Sequence, residues 1–170
     1  SSDVCSSDLI RILTNSLAAT DVIAVHGAYA RYRYALLAAG VELHELKPEP
    51  RRRRASLFGS RTASLHTKAF LVDGVQGFVG SFNLDPRSAS INTEMGLLFS
   101  SPRIVQQLKA AFETQMGRDF SYTLELRHGR LVWSERREGR DLDHSSEPEA
   151  PLRRALPAWL ISWLPIESQL

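Results

Sequence analysis

The start of the chain combines short apolar stretches with one periodic apolar pattern. The stretch IRILT, residues 10–14, predicts a strand. Apolar residues then recur at offsets of four, three and four, which predicts a helix. These residues are Val25, Tyr29, Tyr32 and Leu36. Thr20 or Asp21 can cap this helix, and Gly40 ends it. The alternating stretch VELHEL, residues 41–46, predicts a second strand, so the order is that of a βαβ unit.

The middle of the chain adds two hairpins, one strand and one helix. Residues 65–81, LHTKAFLVDGVQGFVGS, consist of two β-rich runs around an Asp-Gly turn, and residues 122–135 form a similar pair around a His-Gly turn. Between them, TEMGLLFS at residues 93–100 predicts a strand, and the stretch from Pro102 to Met116 predicts a helix. The fold class that follows is α/β, with a mixed β-sheet flanked by helices.

The C-terminal part differs in composition from the folded domain predicted at residues 10–133. Residues 134–150 contain nine charged residues in seventeen, and we expect a mobile charged linker there. Residues 151–170 form an amphipathic segment in which Arg153 and Arg154 lie near the start of a helical apolar pattern. Its apolar members are Leu152, Leu156, Trp159, Leu160, Trp163 and Leu164. Such a face suits a helix at a lipid interface, and packing on the domain core is the equally weighted alternative.

Composition narrows the class of protein further. The 170 residues are 43% hydrophobic and 24% charged, as in one globular domain with a substantial core. Net charge is only +2, but four arginines stand together at residues 51–54. On its own, a run of charges like this is expected in a solvated loop. Together with other features that agree, it favours an anionic partner, phospholipid or nucleic acid. One cysteine excludes an internal disulfide framework, and no apolar stretch approaches the ~20 residues of a membrane-spanning helix.

Residues 1–9, SSDVCSSDL, show no periodicity and resemble translated sequencing-adapter strings. We therefore expect them to be a non-native leader and exclude them from the fold prediction. The chain is then expected to be the C-terminal piece of a longer protein.

Four polar side chains in the first hairpin region carry candidate chemistry. His66 and Lys68 are two apart in a strand and therefore project to the same side. The lysine disfavours the imidazolium and can hold an anionic oxygen. Ser81 and Asn83 are again two apart, after the next strand, and can donate hydrogen bonds to the same anion. Together the four predict a phosphate-sized site without a metal.

The spacing of these residues resembles the HKD signature of the phospholipase D superfamily. His66, Lys68 and Asp73 occupy the H-x-K-x4-D positions of this signature. The Gly-Ser-x-Asn part follows, with Ser81 and Asn83 at its Ser and Asn positions. The flanking sequences and the ending LPIESQL are similar to those of bacterial cardiolipin synthases of the C type. The resemblance covers nearly everything from residue 10 to residue 170, the charged linker least well.

The resemblance implies one half of a bilobal fold and a phosphatidyl transfer through a phosphohistidine intermediate, with no metal or cofactor. Glu94 stands where the superfamily places an acid that hydrogen-bonds the catalytic histidine. The resemblance implies that Lys68 and Asn83 hold the phosphate oxygens and that His66, from the second motif, is the general acid and base. Asp73 belongs to the motif but sits at a turn, off the shared face, so we expect it to support the site structurally.

Partners and location also follow from the resemblance. It implies anionic and zwitterionic phospholipids at the surface of the bacterial cytoplasmic membrane, with the enzyme bound peripherally. Members of the family carry two HKD motifs, and this chain carries one. The second histidine is expected from a missing N-terminal half or from a homodimer partner.

Three alternatives share the same motif. A nuclease of the superfamily would use the arginine block equally well, although the flanking resemblance makes nucleic acid the less favoured partner. A hydrolytic phospholipase would pass the phosphatidyl group to water. A truncated half-domain would bind phosphate without turnover.

Overall fold

The computed structural model describes residues 9–48, 68–81 and 93–162. The arginine block at residues 51–54, His66, Asn83 and the last eight residues lie outside these ranges. Predictions that concern them are therefore not addressed by the fold.

A five-stranded mixed sheet forms the larger unit, and its strand order is β1-β2-β6-β7-β8. The strands are β1 (Arg11–Asn15), β2 (Glu42–Leu46), β6 (Ser121–Arg127), β7 (Arg130–Arg137) and β8 (Arg140–His144). Strands β1 and β2 are parallel, and the other neighbours are antiparallel. The predicted α/β class with a mixed sheet is confirmed, as is the hairpin at the His-Gly turn.

A separate three-stranded antiparallel sheet has the order β3-β4-β5. Its strands are β3 (Lys68–Val72), β4 (Gln76–Gly80) and β5 (Gly96–Ser100). The turn between β3 and β4 holds Asp73 and Gly74 at φ angles of 51° and 68°, a left-handed pair that glycine and aspartate tolerate better than most residues. The backbone N–H of Val75 closes this turn on the carbonyl of Val72 at 3.1 Å. The predicted Asp-Gly hairpin is confirmed.

The predicted single helix after β1 is two helices, α1 (Ile23–Ala30) and α2 (Arg33–Ala38). The inward-facing residues also differ from the prediction. Val25 is 53% exposed and Tyr32 is 45% exposed, whereas His26 and Arg33 are buried and each is only 3% exposed. The reason is electrostatic, because Arg33 turns inward to pair with the fully buried Glu45 of β2. Apolar periodicity alone does not detect a buried cation.

Caps and helix ends also follow local chemistry. Neither Thr20 nor Asp21 caps α1, since the helix begins after Val22 without a side-chain cap, and the Thr20 hydroxyl donates to the carbonyl of Val22 instead. The later helix, α3 (Pro102–Met116), has the predicted bounds. Proline is suited to the first turn, where its missing N–H would be unpaired.

The hydrophobic core lies between the larger sheet and the helices. Its buried members come from β2 with the residue before it, β6 and β7, and aliphatic residues of β1, α2 and β7 pack against them. The buried members are Val41, Leu43, Tyr122, Leu124 and Trp133, and the partly buried ones are Ile12, Leu36, Leu37 and Leu131.

The prediction of a mobile linker at residues 134–150 is wrong for much of this range, because β7 continues to residue 137 and β8 follows. Glu138 and Gly139, at φ angles of 53° and 75°, make a second left-handed turn. The charged side chains then lie opposite one another in the hairpin. Arg136 donates to Asp141 at 3.0 Å, and Ser134 donates to Asp143 at 2.7 Å. A high charge density here reflects cross-strand pairing.

The last described helix, α4 (Leu152–Ser162), packs against α1. Ala158 is buried, with 7% of its surface exposed. Arg154 donates to the carbonyls of Leu17, Ala18 and Thr20 at 3.0 to 3.2 Å. One side of α4 therefore packs on the domain. Leu156, on the other side, is 63% exposed. Among the described residues, we find no helix with the length and hydropathy needed to cross a bilayer.

Candidate active site

Lys68 is the first residue of β3, at the end of the three-stranded sheet that lies away from the Asp-Gly turn. It lies directly opposite Gly80 of β4, which lies opposite Gly96 of β5. A half-buried lysine thus stands in a row whose other two members have no side chains. Lys68 therefore supplies the one side chain of this row.

The two glycines are required by close packing and not only by conformation. A Cβ atom at Gly96 would lie 2.2 Å from the Phe78 ring, and one at Gly80 would lie 2.5 Å from the carbonyl oxygen of Met95. Real Cβ contacts are never this short, so larger residues would displace the ring or the strand. The aromatic ring of Phe78 therefore covers the glycine row that neighbours Lys68.

Ser81 and Glu94 meet at the same end of the sheet. The Ser81 hydroxyl lies 2.6 Å from Glu94 Oε2 and donates to it. The Ser81 Oγ atom also accepts a hydrogen bond from the backbone N–H of Met95 at 3.0 Å. The backbone N–H of Ser81 in turn donates to the Met95 carbonyl at 2.9 Å. The hydroxyl has one proton, and in this arrangement it is directed at the carboxylate. Ser81 therefore contacts Glu94 in this structure, and its donation to a bound anion stays a prediction.

Asp73 lies at the opposite end of the β3–β4 hairpin. It is exposed and is five residues from Lys68 along a strand that rises about 3.3 Å per residue. The side chain is therefore too far away to touch a group bound by Lys68. Asp73 therefore lies in the turn, as the sequence predicted, and its supporting role stays a prediction.

The structure thus brings Lys68, Ser81 and Glu94 to one end of the smaller sheet. His66 and Asn83 lie outside the described residues, although each is two residues from a described member of this group. Within the described ranges, no group of three or more His, Cys, Asp or Glu side chains is placed to hold a metal ion.

A buried ionic cluster in the larger sheet has no counterpart in the sequence prediction. Arg33 lies 2.7 Å from Glu45 and 2.6 Å from Glu147. Its Nη2 atom is also 2.8 Å from His26 Nε2, and the indole of Trp133 donates to Glu45 at 3.0 Å. The cluster ties α1, α2 and β2 to the segment that precedes α4. Buried charges of this kind give no periodic signal in the sequence.

The electrostatics of this cluster are set by burial and by Arg33 together. Burial raises the pKa of Glu45 above its usual value, against the opposing charge of Arg33. Burial acts in the same direction on Glu147, but hydrogen bonds and charges from His26 and Arg33 outweigh it and lower the pKa of Glu147. Burial alone would lower the pKa of Arg33, yet the two carboxylates raise it overall. We assign this cluster to the stability of the fold, since it lies in the other sheet from Lys68.

Comparison with known proteins places the chain in a family. The family model described as "Cardiolipin synthase, PLD-like domain" matches residues 8–116. Cardiolipin synthase C of Escherichia coli (strain K12) is 43% identical over 164 residues, which cover 93% of this chain and 34% of that protein. An uncharacterized protein of Helicobacter pylori (strain J99) is 35% identical over 82% of this chain and 28% of its own length. A cardiolipin synthase of Listeria welshimeri is 32% identical over 46% of this chain and 16% of its own length.

The chain therefore spans about a third of the length of the first two of these relatives. No solved structure matches significantly. The family match covers well over half of the chain and includes Lys68, Ser81 and Glu94. On this evidence the chain belongs to the cardiolipin synthase family with the phospholipase D-like domain.

Proposed function

We propose that the chain supplies the second HKD half-site of an enzyme that transfers a phosphatidyl group between phospholipids to make cardiolipin. The observation that carries this proposal is the convergence of Lys68, Ser81 and Glu94 at one end of the smaller sheet, within the matched family domain. A half-buried lysine at this end of the sheet suits an anionic phosphate. An oriented carboxylate suits a histidine that gains and loses a proton.

The proposed reaction has two steps that balance in protons. In the first, the histidine of the other HKD motif attacks phosphorus, and the bond from phosphorus to the leaving alcohol breaks as His66 donates a proton to that alcohol. In the second, His66 takes the proton back from a glycerol hydroxyl of another lipid. That hydroxyl attacks phosphorus and releases the first histidine.

The remaining residues act on charge and orientation. Lys68 and Asn83 hold the non-bridging oxygens, where negative charge builds up in the transition state. Glu94 accepts a hydrogen bond from the far nitrogen of His66 and stabilises its charged form. Ser81 keeps Glu94 in position. Asp73 acts through the fold of the hairpin.

The other half-site comes from the remainder of a longer protein or from a second copy of this chain. Substrates are membrane phospholipids, so the enzyme works as a peripheral protein of the bacterial cytoplasmic membrane. The length of the relatives supports the need for a further part, since this chain covers 34% of the cardiolipin synthase C that it matches.

The test is radiolabelled phosphatidyl transfer by the full-length protein that carries this chain. His66→Ala and Lys68→Ala are expected to lower turnover by ~10²–10⁴-fold, the usual cost of removing a catalytic acid or a charge stabiliser. His128→Ala is the matched control, because His128 lies exposed at the β6–β7 turn. A His66→Ala enzyme within a few-fold of wild type would refute the assignment. Release of phosphatidic acid without cardiolipin would identify a hydrolase instead.

A further inference from the structure

The face of the smaller sheet that carries Lys68 becomes apolar one row away from it. Cross-strand pairing defines three rows on this face, since side chains alternate between faces along each strand. The rows are Lys68–Gly80–Gly96, Phe70–Phe78–Leu98 and Val72–Gln76–Ser100. Lys68 is the one charged residue in these three rows. The face therefore has a cation at one end and an apolar surface beside it.

Two of the three members of the second row are exposed, and its two aromatic rings are stacked. Leu98 is 73% exposed and Phe70 is 44% exposed. The Phe70 and Phe78 rings stack with their centroids 5.0 Å apart and their planes at 13°. The Phe78 ring also lies over the two glycines of the first row, as the short Cβ distances at those positions require. The apolar surface therefore extends from Leu98 up to the row of Lys68.

We propose that the Phe70–Phe78–Leu98 row binds the first part of an acyl chain of the phospholipid whose phosphate lies at Lys68. This inference rests on the proposed function for the position of the phosphate. Neighbouring rows on one face are about 7 Å apart, because their residues are two positions apart along each strand. In a phospholipid, the acyl chains begin only a few bonds from phosphorus. A phosphate held by Lys68 thus places the start of these chains over the second row.

Charge distribution favours a lipid over other anionic ligands on this face. A nucleic acid carries a charge at every nucleotide and needs further cations along the strand. The second row offers aromatic and aliphatic side chains instead, and the third row carries no charge. A single anionic head with an apolar tail matches one cation followed by an apolar row.

The neighbouring residue Leu97 provides a matched control. It is 66% exposed and lies next to Leu98 in β5, but it points to the opposite face, away from Lys68. Leu97→Ser and Leu98→Ser remove the same side chain from the same strand. Only the second change alters the proposed acyl surface.

The experiment compares two soluble probes by equilibrium binding to the 170-residue chain: glycerol 3-phosphate and dihexanoyl phosphatidic acid below its micelle concentration. We expect the lipid to bind at least about tenfold more tightly, because its acyl chains bury apolar area against the row. Leu98→Ser is expected to lower this ratio several-fold, and Phe70→Ser likewise. Leu97→Ser is expected to leave it unchanged. Lys68→Ala is expected to weaken both probes.

The outcomes separate this inference from the proposed function. If Lys68→Ala weakened neither probe, the phosphate site and the proposed function would fail together. If Leu98→Ser kept the wild-type ratio, or if Leu97→Ser lowered it equally, the acyl surface alone would be refuted. Sedimentation and thermal unfolding of each variant complete the test. A dimer that dissociates on Leu98→Ser would assign the face to a second copy of the chain and overturn the proposal.

Discussion

A single hydroxyl links the two strands that border the candidate site. Ser81 ends β4, Glu94 precedes β5, and the short hydrogen bond between them fixes the carboxylate relative to the sheet. The backbone N–H of Met95 occupies a second position on the same hydroxyl oxygen. Because both contacts depend on one oxygen atom, the orientation of Glu94 is sensitive to the residue at position 81. We therefore expect the motif's serine to position Glu94, a task that differs from binding the substrate.

This task predicts the phenotype of Ser81→Ala in the full-length enzyme. Loss of a hydrogen bond to a charged group costs about 1.5 kcal/mol, so turnover should fall on the order of tenfold. The limb of the pH profile that reports His66 should move to lower pH, because a loosened Glu94 stabilises the imidazolium less. Thr114→Ala is the control, since the Thr114 hydroxyl donates within its own helix, to the carbonyl of Ala110. An unchanged pH profile would refute the positioning role.

A second residue-scale prediction concerns Gly96. A methyl group there would overlap the Phe78 ring, with a Cβ-to-ring distance of 2.2 Å. Gly96→Ala should lower the free energy of unfolding by about 1–3 kcal/mol, the usual cost of overpacking. Adding Phe78→Ala should relieve the overlap, so the double variant should be more stable than the sum of the single changes allows. Urea denaturation of the four proteins gives this coupling, and strict additivity would contradict the overlap.

At the scale of elements, strands and hairpins were predictable wherever apolar alternation was bounded by turn residues. The Asp-Gly turn and the bounds of α3 follow directly from local sequence. The β7–β8 hairpin was not predicted, because its strands carry charges that pair across the sheet. The break between α1 and α2 was missed for a related reason. Both errors arise where long-range ion pairs outweigh the local hydrophobic pattern.

The β7–β8 hairpin makes stability depend on pH through Glu135. The Glu135 side chain is fully buried and lies 2.8 Å from Lys47 and 2.8 Å from His144. Burial disfavours its ionisation, but hydrogen bonds from Lys47 and His144 outweigh burial and lower its pKa below 4.5. A depressed folded-state pKa contributes stability above the unfolded-state value, and this stability is lost as pH falls through the folded-state value.

Glu135→Gln should therefore destabilise the chain at pH 7 by about 3 kcal/mol, since it leaves Lys47 without its buried partner. The difference from wild type should shrink as pH falls through the depressed folded-state pKa of Glu135, where the wild-type carboxylate becomes protonated in turn. Chemical denaturation across this pH range measures both effects. Glu138→Gln, at the exposed β7–β8 turn, should match wild type throughout. A constant difference at all pH values would show that the carboxylate charge is not the cause.

At the scale of the whole molecule, the larger sheet carries the apolar core and the smaller sheet carries the proposed chemistry. The larger sheet holds the apolar core and the buried ionic cluster, while the smaller sheet holds Lys68, Ser81 and Glu94 and exposes much apolar surface. Met95 is 83% exposed and Leu97 is 66% exposed, so the smaller sheet has few contacts of its own to keep it fixed. The residue types of the site were recognisable from motif spacing. The bond from Ser81 to Glu94 was not, because residues 13 positions apart give no local pattern.

This division predicts that the 170-residue chain is inactive as a monomer. It contains one HKD histidine, His66, and the proposed two-step transfer uses one histidine as nucleophile and another as acid and base. Transfer assays on the purified chain, run alongside analytical ultracentrifugation over a range of dilutions, should show turnover only where a dimer is present, if at all. A mixture of wild type with His66→Ala distinguishes the two sources of the second histidine. In a working homodimer, excess inactive chain should suppress activity in proportion to heterodimer formed, whereas an enzyme that draws its nucleophile from a longer chain should be unaffected. Robust turnover at dilutions where only monomer sediments would show that one histidine suffices and that the two-motif mechanism does not apply to this chain.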